Sequence, residues 1–388
     1  MTGQDAVVRQ SVEQESVYME SKTTRETSFE LLRIVAMCMI IALHYLSKGE
    51  VLVSLGANGA GEMNAAAIAA WIVEAMCLPV VNVYILISGY FGGKSSFRIS
   101  KFMHLWRTVL FYSVSITLLL GLTGNLMTIY GRMTLGELSI YDWMNVIFPL
   151  VTEEYWFITA YVILYLLMPF LNAGVEKLER KMLRDLLIVL FVFFSVFKSF
   201  LPMKLPTDKN GYDVLWFICL YLLGGYWRKY GCKVFEKRMC CICLYLVSAV
   251  GTVGVAFGLR YLNLKLGIAG AGELANHVYT YNHLFCLAAA IGLFGIFRGV
   301  RIRGKQISLW IGYFASCTMA VYLIHEQLYL RYLWPKWFDT KAQSGTWTFL
   351  PHMTATVICV FTVCILIEAI RRFVVQRVCD FAIKRIRK

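Results

Sequence analysis

The sequence predicts an all-α, polytopic membrane protein with about ten transmembrane helices and both termini on the cytoplasmic side. Three observations carry this. Of its 388 residues, 59% are hydrophobic and only 16% charged, whereas soluble domains carry about 25% charged residues. The apolar residues fall into runs near the length of about 20 that crosses a bilayer as a helix. Basic residues concentrate in alternate connecting segments, as the positive-inside rule requires. With the N-terminus inside, internal segments hold 23 Lys and Arg against ten in the external loops, and no loop breaks the alternation. Orientation in the membrane thus accounts for the net charge of +14. Nucleic acid is set aside as a partner, and membrane lipids are the expected surroundings.

Residues 1–27 are polar, mix both charge signs and lack the apolar core of a signal peptide, which reads as a cytoplasmic tail without a fixed fold. The membrane domain is expected over 28–370, followed by a basic cytoplasmic tail at 371–388. Within the domain the runs lie near 29–47, 66–91, 103–122, 155–173, 184–201, 213–228, 240–260, 280–298, 307–331 and 348–370. The external loop at 123–154 is too short for a soluble catalytic domain, so any chemistry is expected within the helices or at their edge. Most of the twelve cysteines sit inside apolar runs, where a thiol behaves as a small hydrophobe. The C-x-x-C spacing at 240–243 has no second Cys/His pair nearby, and no metal site is expected from it.

An ionisable side chain at the bilayer centre costs about 2.5–3.5 kcal/mol on insertion scales, which makes each one a candidate for function. The first run reads ELLRIVAMCMIIALHYL over 30–46. His44 lies eleven positions after Arg33, which on a helix is about 20° past three full turns and about 16 Å of rise. Both therefore share a face, with Arg33 toward the cytoplasm and His44 toward the outside. That face offers a cation to one compartment and a base to the other. The plainer alternative is that Arg33 snorkels to head groups while His44 reaches the outer interface. His325, in TMAVYLIHEQLYL, lies roughly 25 Å up the ninth run, a depth like that of His44. Packing against a neighbouring helix is its plainer role. Glu326 is adjacent in sequence but points about 100° away, which leaves open whether it faces the same cavity.

In the outer third of the second run, Glu74 is placed to orient a histidine at that depth. Arg98 and Arg107, at the entry to the third run, form with Arg33 a cationic pocket on the cytoplasmic side, suited to phosphates. On the outer side, Glu154 and Trp156 open the fourth run and Asn282 lies in NHVYTYNHLF. Aromatic and amide groups there suit sugar hydroxyls, although Trp156 equally fits an interfacial aromatic belt.

Taken in order, these residues resemble the acyltransferase-3 family of integral membrane acyltransferases. The resemblance rests on the R-x10-H of Arg33 and His44, SGYFGG closing the second run, the arginines entering the third, YWFITAYVILYLLMPFLN, and AVYLIHEQL, and it spans about 28–370. It implies transfer of an acyl group, usually acetyl from acetyl-CoA, to a sugar hydroxyl of a cell-surface polysaccharide or lipid-linked glycan. The implied setting is the plasma membrane of a bacterium, with acyl-CoA and the envelope glycan as partners and no metal. By motif, Arg33 and His44 match the pair tied to activity, Arg98 and Arg107 the basic region after the second span, and His325 the later histidine. Where many relatives have W-S-L-x-x-E, Trp156 is followed here by FITAY, with Tyr161 in the place of the glutamate. That resembles the subgroup without an attached SGNH hydrolase domain, and no role of the glutamate is carried over. A polytopic transporter or glycan flippase is the alternative class. It predicts repeated halves and paired broken helices, but the two halves show no self-similarity, and only the Gly-rich end of the second run hints at a break.

Overall fold

A computed structural model describes residues 27–55, 63–93, 97–201 and 208–386. The polar tail expected at the N-terminus lies outside them except for Thr27, which opens the first helix. The described residues are 77% helical with almost no sheet.

Helix α1 (Thr27–Ser47) runs through the middle of the core, with Leu32, Ile41 and Tyr45 fully buried. The second run divides into α2 (Ala65–Cys77) and α3 (Val80–Gly92) at Pro79, which has no N–H to donate. Asn64 caps α2 by accepting from the Ala67 N–H at 2.9 Å. Helix α4 (Ile99–Leu122) is followed by a short antiparallel hairpin, β1 (Leu126–Thr128) with β2 (Gly131–Met133), and by α5 (Ile140–Ile147), which together cover one end of α4. Helix α6 (Trp156–Lys177) precedes α7 (Arg180–Phe191), which continues through a π-helical turn at Val192–Val196 into α8 (Phe197–Phe200). The next elements are α9 (Val214–Tyr230), α10 (Arg238–Leu266), α11 (Ala271–His277), α12 (Leu284–Arg298), α13 (Lys305–His325), α14 (Leu330–Trp337) and α15 (Phe349–Ile386).

Seven of these segments are long and apolar enough to cross a membrane: α1, α2 with α3, α4, α6, α10, α13 and the first 27 residues of α15. The runs expected at 184–201, 213–228 and 280–298 are helical but fall outside that set. With 17 residues in α9 and 15 in α12, both are shorter than the roughly 20 of a straight crossing, and α7 opens on Arg180, Lys181 and Arg184. Helix α15 continues to Ile386, through the stretch expected as a basic tail.

Between helices in lipid there is little hydrophobic driving force, and close backbone approach supplies the packing instead. At the α3–α9 contact a Cβ on Gly89 would lie 2.1 Å from the Tyr221 carbonyl oxygen, and one on Gly224 would lie 2.5 Å from that of Leu86. Only glycine fits at either position.

The ninth run ends earlier than its composition suggests. Helix α13 stops at His325, and the chain turns before restarting as α14. Gln327 holds the turn: its Oε1 accepts from the N–H groups of Tyr329 and Leu330 at 3.0 and 3.1 Å, and its Nε2 donates to Thr117 Oγ1 of α4 at 2.9 Å. A side chain thus replaces the next helical turn and frees Glu326 from the helical register.

Candidate active site

A cavity of about 270 Å³ follows α1. Arg33, Met37, Ile40 and His44 line it from α1, and Tyr84, Trp156, Tyr281 and Tyr322 face them from α3, α6, the turn before α12 and α13. The stripe read from helical spacing is therefore one wall of an internal space.

At the His44 end, His44 Nδ1 lies 3.0 Å from His325 Nε2. The hydrogen bonds fix the tautomers. His325 Nδ1 is 2.6 Å from the Val321 carbonyl oxygen, which can only accept, so Nδ1 carries the proton and Nε2 of the neutral ring is a lone pair. His44 Nδ1 then donates to it, leaving the Nε2 of His44 as a base. Glu326 Oε2 is 3.1 Å from the same Nδ1 but out of line for a hydrogen bond, so it acts on His44 as a charge. Its other oxygen pairs with Lys48 and lies 3.6 Å from Arg331, which also holds Glu154 at 2.7 Å. Burial alone would raise the Glu326 carboxyl, but His44, Lys48, Arg331 and His325 together outweigh it and hold the group down at about 2. Lys48 is lowered from its ordinary value, chiefly by burial. The cluster draws on α1, the turn after it, α13, and the turn and helix that follow α13.

His44, His325 and Glu326 offer ligand atoms within 4.8 Å of one another, a spacing that a metal ion could bridge. Two fixed cations already sit on Glu326, and they oppose a further positive charge there.

At the other end, the Arg33 guanidinium contacts Glu30, and its backbone carbonyl accepts from the Tyr84 hydroxyl at 2.7 Å. Arg98 and Arg107 are exposed and do not line the cavity. Arg98 is the N-cap residue of α4, with its backbone N–H donating to Tyr165, while Arg107 Nε bonds back to the Met103 carbonyl at 3.3 Å. The cationic pocket expected from three arginines has only Arg33 in the cavity wall. Glu74 is buried away from the histidines. It acts electrostatically on Tyr212, Tyr279 and Tyr281, and the charges acting on His44 come from Glu326, Lys48, His325 and Arg331. Glu326 occupies the orienting position expected of Glu74.

Of the residues expected on the outer side, Trp156 lines the cavity and stacks on Tyr281, with ring centroids 5.7 Å apart and planes at 21°. Glu154 is engaged by Arg331 instead. Asn282 is buried and donates to Asp208 at 3.1 Å, part of a structural tie that includes the Lys198–Asp208 ion pair. Sequence reasoning missed Lys48 and Arg331, which were counted only as external-loop charges. Lys48 did carry a signal, since it lies one helical turn beyond His44. Tyr84 and Tyr322 carried no pattern that separates them from other membrane tyrosines, whereas Tyr281 lies in the NHVYTYNHLF stretch already read as suited to sugar hydroxyls.

The fold and site define a helical membrane protein with an imidazole pair, His325 buried and His44 partly so, at the end of a cavity whose wall includes Arg33. The chain belongs to the acyltransferase-3 family: the family model described as an acyltransferase domain matches residues 26–369. It is a membrane acyltransferase. No curated protein and no solved structure matches it.

Proposed function

We propose that the protein is an O-acyltransferase of a bacterial plasma membrane. It moves an acyl group, most readily acetyl, from cytoplasmic acyl-CoA to a sugar hydroxyl of a cell-surface polysaccharide or lipid-linked glycan. In this reading the chain crosses the bilayer ten times, with α7–α8, α9 and α12 as the three crossings beyond the seven long ones, and both termini are cytoplasmic. The ten apolar runs and the distribution of Lys and Arg between alternate loops support that topology.

The single observation that carries the reading is the His44–His325 pair at 3.0 Å, closing a cavity whose wall includes Arg33 about three turns away. The charged end of the donor lies by Arg33, and its pantetheine arm follows α1 toward His44. His44 Nε2 takes the proton of the acceptor hydroxyl as that oxygen attacks the thioester carbon. The C–S bond breaks, and the proton passes to the departing sulfur. Glu326 balances the positive charge that His44 gains, while His325 holds its tautomer. Tyr322 lines the same cavity with its buried hydroxyl beside the Phe157 amide. That amide can only donate, so the phenol proton is free to meet the oxyanion. Trp156 and Tyr281 present stacked ring faces for the sugar.

The test is O-acetyl content of surface glycan with and without the gene, together with the appearance on glycan of label from [14C]acetyl-CoA. Unchanged O-acetyl content and no label on glycan overturn the reading.

A further inference from the structure

The histidine end of the cavity is built to hold more than a proton. Glu326 Oε2 is buried and accepts no hydrogen bond among the described residues, although Oε1 of the same carboxylate pairs with Lys48. A buried oxygen left without a donor costs free energy until something meets it. It lies 3.1 Å from His44 Nδ1, which lies 3.0 Å from His325 Nε2, and the three atoms fall within 4.8 Å of one another. Ligand atoms held at about 2.0–2.2 Å by one tetrahedral Zn²⁺ stand roughly 3.4 Å apart, so a few tenths of an ångström of opening turns these contacts into a cage. Among the described residues no other trio of His, Cys, Asp and Glu converges in this way.

The surroundings are those of a ligated metal. His325 Nδ1 is 2.6 Å from the Val321 carbonyl oxygen, the outer contact that turns a histidine's other nitrogen toward an ion, and the second carboxylate oxygen is itself engaged. Lys48 and Arg331 oppose a further cation, but in part. Arg331 is paired with Glu154 at 2.7 Å, so the charges of Glu326, Glu154, Lys48 and Arg331 sum to zero, and the Lys48 side chain is partly exposed to solvent. The balance suits an ion that comes and goes better than a resident one. We infer that His44, His325 and Glu326 form a reversible zinc site at which Zn²⁺ switches transfer off. The switching rests on the transferase reading above, whereas the binding does not. Two imidazoles and a carboxylate suit Zn²⁺ over Mg²⁺ or Ca²⁺, which take oxygen ligands. Coordination through His44 Nδ1 displaces the proton there, and the neutral ring carries it on Nε2 instead. The nitrogen that would take the acceptor's proton is then already protonated, and Glu326, already an anion, loses nothing on binding.

The purified full-length protein, titrated with Co²⁺ as a coloured substitute for Zn²⁺, provides the test. A tetrahedral absorption band is expected at one ion per chain, bleached when Zn²⁺ displaces the Co²⁺. Glu326→Gln, which keeps the shape of the side chain, and His325→Ala should each weaken binding at least about tenfold, while His104→Ala, at an exposed position of α4, leaves it unchanged. No band, or a band that survives in both cluster variants, overturns the site. Over the same range of Zn²⁺, transfer of label from [14C]acetyl-CoA should fall at least about tenfold and return when a chelator is added, with acetyl-CoA binding kept throughout. Metal binding without loss of transfer, or with a rise in it, overturns the switch and leaves the transferase standing. A normal Co²⁺ band in a metal-free preparation that transfers nothing removes the transferase reading, and the switch with it, and upholds the metal site alone.

Discussion

The two ends of the cavity are built differently. At the histidine end, the imidazole and charged side chains answer to partners from other segments: His44 to His325 and Glu326, Glu326 to Lys48 and Arg331, and Arg331 to Glu154. At the arginine end, the Arg33 side chain pairs, among the described residues, with Glu30 of its own helix, and Arg98 and Arg107 stand exposed at the start of α4. Proton transfer tolerates little misplacement, and the first end is held by cross-helix contacts before any substrate arrives. In the proposed reaction, binding a polyanion requires only charge within reach, which Arg33 in the cavity wall supplies. In the proposed reaction the contrast separates the step that needs fixed geometry from the step that needs only field.

The largest test of this difference is His44→Ala. A positioned general base contributes roughly 10²- to 10⁴-fold, or about 3 to 5.5 kcal/mol of barrier. Transfer should fall by that factor while acetyl-CoA binding persists, as read by label incorporation beside equilibrium binding on the same preparation. A purified, folded variant that transfers at the wild-type rate would remove His44 as the base.

Glu326→Gln comes next. At 3.1 Å and an effective dielectric of 20, a carboxylate and an imidazolium attract by about 5 kcal/mol. Lys48 and Arg331 already claim part of that charge, so the expected loss is roughly 10- to 100-fold in rate. The same variant carries a stability signature. The Glu326 carboxyl sits just beyond the α13 span and is held at about 2, below its ordinary 4.5. Its contribution is therefore fully present above pH 4.5 and is lost as pH falls toward 2. Thermal midpoints of wild type and variant should differ at neutral pH and converge across that window. A constant gap would show that the carboxylate charge is not what stabilises the fold.

Smaller effects belong to the arginine end. Arg33→Ala should raise the KM for acetyl-CoA about tenfold with kcat kept, because one charge-assisted contact made equally in ground and transition states is worth about 1.5–3 kcal/mol at most. A fall in kcat with unchanged KM would place Arg33 in the chemistry. Arg98→Ala and Arg107→Ala should each change KM less than about threefold at physiological salt, since solvated charges are screened. An effect as large as that of Arg33 would bring these exposed arginines into the donor site and erase the contrast.

Much of this site was legible beforehand because its first half lies on one helix. The R-x10-H spacing needs only 3.6 residues per turn to place Arg33 and His44 on one face. Matched depth, counted in residues from the membrane edge, brought His325 to the level of His44. Glu74 was placed by the same counting and ended elsewhere, because depth fixes height along the bundle but not direction around it. Glu154 and Asn282 were likewise expected near the outer end, yet one is taken by Arg331 and the other by Asp208.

The sequence by itself determined the helical membrane class, the shared face of Arg33 and His44, and the family, since all three depend on local periodicity or on linear motif order. Tertiary structure alone decided that Glu326 partners the histidine. On a continuing helix it would point about 100° away from His325, but α13 stops there because Gln327 caps the turn against Thr117 of α4. That contact joins residues 210 positions apart. Reading along one helix carries no record of it, because whether a helix ends can depend on what a neighbouring helix offers to the next side chain.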